Sequence, residues 1–204
     1  MFTSYMKRII IAAVLLTGLL AVQAQEKLSR TEALQAAFFA SSDLKEMLNT
    51  PIPTDPDTKR PVAFKDGDYG VMVLPETKLS ADTFAKAGKE AKSVGQFWLR
   101  GLAPENEGQV VSQSKLRKVH VSAMDQEADV VCCALGVCKD ADRGLELLIY
   151  GKDKEPVTRV PIKSISGQQD NLVEMSCERK DDNGVITLKF LGKYEATFSV
   201  TAPD

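Results

Sequence analysis

The chain has 204 residues and carries 26 Lys+Arg against 28 Asp+Glu, a formal net charge of −2. That length allows one ordinary domain with a small appendage, and the near balance of charge excludes the strongly basic face of a nucleic-acid binder. A hydrophobic fraction of 44%, with 8 Phe, 4 Tyr and 1 Trp, excludes a disordered chain.

Residues 1–24 read as a secretory signal. Lys7 and Arg8 close a short basic start, Ile9 to Val22 run almost without a polar atom, and Val22-Gln23-Ala24 puts small residues where a signal peptidase reads. The apolar run falls short of the ~20 residues a membrane-spanning helix needs. Cleavage is expected after Ala24, and the residue that follows is Gln25, not the Cys of a lipid-anchored lipoprotein. Losing Lys7 and Arg8 takes the net charge from −2 to −4. The expected location is the periplasm or the extracellular space, with no transmembrane span after cleavage.

Residues 25–50 form the next unit. Ser29-Arg30-Thr31-Glu32 fits a capping box, in which the Ser oxygen and the Glu carboxylate satisfy orphan helix amides. Leu34, Ala37, Phe38, Leu44, Met47 and Leu48 recur near the 3.6 period and predict a helix over 30–48. Phe39 lies off that stripe and faces a second surface. Residues 51–61 hold Pro51, Pro53, Pro56 and Pro61, which forbid a helix and predict an extended strap across the surface or a linker.

Residues 62–204 read as a β-rich domain with one helix. Val62–Lys65 and Tyr69–Leu74 flank Asp66-Gly67-Asp68 as a hairpin. Ser80 caps a helix predicted over 81–93, with Ala81, Phe84, Ala85, Gly88 and Ala91 on one face and Gly95 ending it. A strand follows over 96–102. Further strands are predicted near 109–112, 115–123, 128–135, 144–151, 157–165, 171–179, 184–191 and 194–201. Asn183-Gly184 suits a tight hairpin turn. Pro161 confines its strand to an edge or a bulge. The predicted class is α+β, mostly antiparallel, as a sandwich or a curved open sheet, with the N-terminal helix and one further helix packed on it.

All four cysteines, Cys132, Cys133, Cys138 and Cys177, follow the expected cleavage point. An oxidising compartment favours their pairing as structural disulfides. Adjacent strand residues point to opposite faces, so Cys132–Cys133 ranks last. Cys133–Cys138 with Cys132–Cys177 is the expected arrangement, and its swapped counterpart stands beside it. The spacing C-C-x4-C fits neither a common zinc module nor a redox Cys-x-x-Cys, so no metal site and no cofactor are expected.

Catalytic patterns are weak. His120, the one histidine, alternates with Val119 and Val121 and belongs on a solvent face. Glu105/Glu107 and Asp181/Asp182 sit in polar turns. The informative residues are aromatic. Phe97 and Trp98 are consecutive and cannot share one core, and Leu147 to Tyr150 fill both faces of their strand. Phe97, Trp98 and Tyr150 are therefore the candidate ligand-binding residues, with no catalytic residue assigned. The expected function is that of an exported non-catalytic envelope or secreted protein that binds an apolar ligand or a protein partner, not a nucleic acid. A hydrolase with a dispersed acidic or triad site, or a structural assembly subunit, is the alternative.

Overall fold

Strand alternation decides the architecture, because several strands carry apolar side chains on both faces and so need two layers of cover. The computed structural model describes residues 25–42, 50–123, 126–180 and 183–203. The expected signal, residues 43–48 of the predicted first helix, and Asp181-Asp182 lie outside them. The elements run β1 (Glu26–Lys27), α1 (Arg30–Ser42), β2 (Val62–Asp66), β3 (Tyr69–Pro75), α2 (Ala81–Ala85), β4 (Lys92–Arg100), β5 (Ala103–Asn106) and β6 (Gln109–Val110). A short 3-10 turn at Gln113–Lys115 leads to β7 (Lys118–Ala123), β8 (Gln126–Asp140), β9 (Gly144–Tyr150), β10 (Pro156–Pro161) and β11 (Lys163–Ser164). The chain closes with β12 (Val173–Lys180), β13 (Asn183–Phe190) and β14 (Tyr194–Thr201).

Two antiparallel sheets result. The first has the order β1-β2-β3-β4-β8-β9-β10, and β7 also pairs with β8. The second has the order β12-β13-β14-β5-β6, and β11 pairs with the start of β14 on the same edge as β5. In β8, Val130–Val137 pair with β4 on one side. On the other side the strand is shared, Gln126–Val131 pairing with β7 and Ala134–Asp140 with β9.

One core lies between the sheets. Val73, Phe97, Leu135 and Ile149 enter it from the first sheet, and Ile186, Leu188, Phe190 and Phe198 from the second. Phe97 meets Phe198 edge to face, with centroids 5.4 Å apart. The expected alternation of β14 holds: Ala196, Phe198 and Val200 are buried while Thr197 is exposed.

The other face of the first sheet is covered by two different pieces of chain. α1 lies over Ala63, Met72, Leu74, Trp98 and Cys132, and buries Ala33, Ala37 and Ala40 against them. The predicted stripe is thus displaced: Leu34 is half-buried and Phe38 is 68% exposed. Alanines let the helix sit close to the sheet, where larger residues would hold it off. Its start is the predicted capping box, with the Ser29 N–H donating to Glu32 Oε2 (2.9 Å) and the Glu32 N–H to Ser29 Oγ (3.3 Å). The proline-rich segment is a strap. Its Ile52 packs with Ala91 on Ala134, Cys138, Leu148 and Tyr150. Its backbone bonds the end of β3, from the Asp57 N–H to the Pro75 carbonyl (2.7 Å) and from the Thr77 N–H to the Asp55 carbonyl (2.8 Å).

Three sequence expectations change here. The second helix is one short turn, Ala81–Ala85, not 81–93. Its Phe84 stacks on Tyr194 at 4.3 Å, and beyond it the Gly88 carbonyl accepts from the Lys139 N–H, which ties this segment to the end of β8. Gly95 ends no helix; it sits in β4 at a register shift, with φ at +143°. Asn183 and Gly184 belong to β13, where they pair with Lys180 and Arg179 as ladder residues.

Candidate functional site

Phe97 and Trp98 divide as neighbours in a strand must. Phe97 is sealed in the core between the sheets, and Trp98 points the other way, beneath α1. Trp98 is 3% exposed, and its Nε1–H donates to Gln96 Oε1 at 3.2 Å. Gln96 is itself 1% exposed, and its Nε2 donates to Thr54 Oγ1 of the strap at 2.8 Å. A buried amide must find partners, and this one finds them under both covers of the sheet.

Beside Trp98 a groove of about 640 Å3 opens along one flank of α1. Its apolar walls are Ala36, Phe39, Met72, Trp98, Val121 and Val130. The charged groups bordering it are Lys65, Arg100 and Glu127, all exposed. The carbon-rich floor suits an apolar body, and the charges stand where water reaches them. Phe39, set apart in the sequence as facing a second surface, does so here. Met72 was not singled out, although the unbroken apolar run Val71–Leu74 signals a strand covered on both faces.

Tyr150 is not part of this groove. It lies under the strap with Ile52, Ala134, Cys138 and Leu148. Burial, then the neighbouring Cys138, pushes its phenol above the ordinary tyrosine value. Close by, the buried Glu146 carboxylate takes Arg159 Nη1 at 3.3 Å and Arg143 Nη1 at 4.0 Å. Paired cations compensate a buried acid, which accounts for its place in the fold. Cys138 Sγ stands 4.0 Å from the same carboxylate. Burial, then that carboxylate, raises its thiol.

The cysteines overturn the expected pairing: all four are free thiols in the structure. The strand predicted over 128–135 does not end there, because β8 runs straight on to Asp140. At about 3.4 Å per residue, Cys138 lies far along the same strand from both Cys132 and Cys133. Cys132 faces α1, Cys133 faces the core, and Cys177 reaches that core from the opposite sheet. Cys132–Cys177 would therefore have to pass through the first sheet. Cys133 shares the core with Cys177, yet each packs among apolar neighbours and burial pushes both thiols up to about 12. Cys132 is shifted the same way, chiefly by burial.

His120 is exposed, as its alternation with valines predicts; Val119 and Val121 turn toward α1. Its Nδ1 lies 3.0 Å from Asp129 Oδ1 and its Nε2 3.6 Å from Glu127 Oε2. The two carboxylates sit at opposite ring nitrogens, so they do not converge on one point. Among the described residues, no cluster of three or more His, Cys, Asp or Glu is placed to hold a metal ion. Glu105 lies in β5, paired with Val110, and Glu107 lies in the β5–β6 turn with φ of +53°.

A smaller apolar cavity of about 270 Å3 opens between the sheets at the β2–β3 turn, lined by Phe64, Val71, Cys177, Ile186 and Val200. No helix among the described residues is long and apolar enough to cross a membrane. No protein-family model, curated protein or solved structure matches the chain.

Proposed function

We propose that the chain is an exported binding protein that takes an apolar ligand in the groove beside Trp98. The groove itself carries the reading: about 640 Å3 of concave space with a carbon-rich floor and charge confined to its rim. Such a site holds a hydrophobic body by burial and offers no cluster of converging ionisable groups on that floor. Export rests on the layout of residues 1–24.

Trp98 is the one tryptophan of the chain, so its emission reports this groove alone. Titration with saturated fatty alcohols of increasing chain length should give a saturable change in that emission. Phe39→Ser removes a half-buried groove wall and should weaken binding by about tenfold to a hundredfold, since the lost burial corresponds to about 1.5–3 kcal/mol. Unchanged emission across the whole series would overturn the reading. N-terminal mass spectrometry of the protein recovered outside the cytoplasm checks export; the expected first residue is Gln25.

A further inference from the structure

A second groove, of about 620 Å3, lies where the start of α1, the end of the strap and the loop before β12 meet. Four cations stand around it: Lys27 on β1, Arg30 in the first turn of α1, and Lys59 and Arg60 at the end of the strap. The carboxylate of Asp170 is on the facing loop. This is a local excess of positive charge in a chain whose net charge is −2. Arg60 is engaged with Asp57 at 3.4 Å. Lys27, Arg30 and Lys59 have no carboxylate at ion-pair distance among the described residues. Against Asp170 they leave a balance of two positive charges.

The walls are built, not loose. The Gln169 side chain fixes the loop, donating to the carbonyls of Asn171 (2.7 Å) and Lys189 (3.1 Å) and accepting from the Gly192 N–H (2.7 Å). The Leu191 N–H closes on the Leu172 carbonyl at 3.0 Å. Leu191 holds φ of +57°, a left-handed conformation that a leucine adopts only when its surroundings impose it. On the opposite side the capping box sets the turn that carries Arg30. Asp57 holds the strap, its Oδ1 accepting from the Lys59 N–H (2.9 Å) and its carbonyl from the Arg60 N–H (3.2 Å). The floor between these walls includes Leu28, Val62, Ala63 and Leu172. Fixed walls with like charges over an apolar floor focus a positive potential into the groove.

We infer that this groove binds a phosphomonoester carried on an apolar body. The phosphate has a charge of about −1.5 to −2 at neutral pH, which matches the uncompensated cations, and arginine and lysine both recognise its oxygens. The apolar floor takes the carbon attached to it. The two grooves share Leu28 and Ala63, but the side chains that distinguish them do not coincide. Arg30 lies on the opposite side of the alanine stripe from Ala36 and Phe39 on a 3.6-residue helix.

The full chain is titrated with octyl phosphate, with octanol as the uncharged counterpart and inorganic phosphate as the bare head group, by calorimetry at low and at raised salt. A parallel arm measures co-sedimentation with phosphatidylcholine vesicles with and without phosphatidic acid. Octyl phosphate should bind saturably, more tightly than inorganic phosphate, with affinity falling as salt rises. The Arg30→Gln/Lys59→Gln double variant should lose about tenfold or more in affinity, equivalent to ~1.4 kcal/mol. Lys152→Gln/Lys154→Gln, an equal change of charge on the β9–β10 loop, should bind as the wild type does. Vesicle binding that the first double variant abolishes identifies the phosphate as a lipid head group. Binding of octyl phosphate without vesicle binding identifies a soluble ligand. The inference fails if neither probe binds the wild type, or if the two double variants bind alike. Because both substituted side chains are exposed, matching thermal melts exclude misfolding as the cause. Trp98 emission is read in the same samples, so the two grooves fail or succeed separately.

Discussion

Gly95 and Gly136 both sit in central strands of the first sheet, yet a methyl group at each would meet different things. At Gly95 it would run into the main chain of Leu74 and Pro75, in a backbone conformation that L residues rarely adopt. At Gly136 it would meet the end of Ile52 at 2.9 Å, the Tyr150 ring at 3.2 Å and the Ala91 methyl at 3.3 Å. Backbone has nowhere to go, while the end of an isoleucine can turn aside. Gly95→Ala should therefore destabilise by about 3 kcal/mol or more, and Gly136→Ala by about 1–2 kcal/mol. Chemical denaturation of the two variants checks the order; equal losses would contradict it. Gly136 also explains why the cysteines misled. The strand predicted over 128–135 stops just short of it, but here the missing side chain makes room for the strap, and the strand continues to carry Cys138 away from its expected partner.

At the scale of elements, α1 is held by contacts of small area, so its capped end matters. The Ser29 side chain, then the Ser29 N–H and more weakly Lys65, hold Glu32 below the ordinary glutamate value. A lowered folded-state pKa gives stability that is present above the unfolded value and lost as pH falls through the folded one. Fraying of the first turn of α1 is thus expected in the acid range below the ordinary glutamate value, and not near neutrality. Amide shifts of Arg30–Ala33 followed by NMR against pH check this, and Glu32→Gln should flatten the response. The hairpins and the last three strands were legible because alternation and turn residues are local signals. The length of α2 was not. Ala81, Phe84, Ala85, Gly88 and Ala91 fit a helical face, but the chain after Lys86 is drawn into bonding with β8, a partner over fifty residues away. The groove was legible only in parts. The sequence marked Trp98 and Phe39 separately, and what joins them is the path of α1 across the sheet. Likewise, nothing local connects Lys27, Arg30, Lys59 and Arg60.

At the scale of the whole molecule, the two layers of burial differ in kind. The core between the sheets interlocks large side chains, among them Phe97, Leu135, Phe190 and Leu188, all fully buried. The outer face is closed by alanines of α1 and by a strap with few apolar anchors. Opening free energy follows the apolar area an element buries. Hydrogen exchange should therefore show α1 and residues 50–57 opening well below the global unfolding free energy, with β4, β8 and β9 exchanging only near it. Equal protection throughout would show that the covers belong to the same cooperative unit as the core. Both grooves border the weaker layer, where a bound ligand adds stability by mass action to whatever it holds closed.

The Gln96 amide ties these two covers together. Its N–H reaches the half-buried Thr54 of the strap and its carbonyl reaches the buried indole beneath the helix. Lifting the strap takes an acceptor from a buried donor and opens a route for solvent toward Trp98. Displacing the indole orphans the carbonyl that keeps Gln96 aligned with the strap. Each cover is thus a condition of the other's fit, and an event at the helix flank carries a free-energy cost that is felt at the prolines, through a single side chain and without any movement of the sheet.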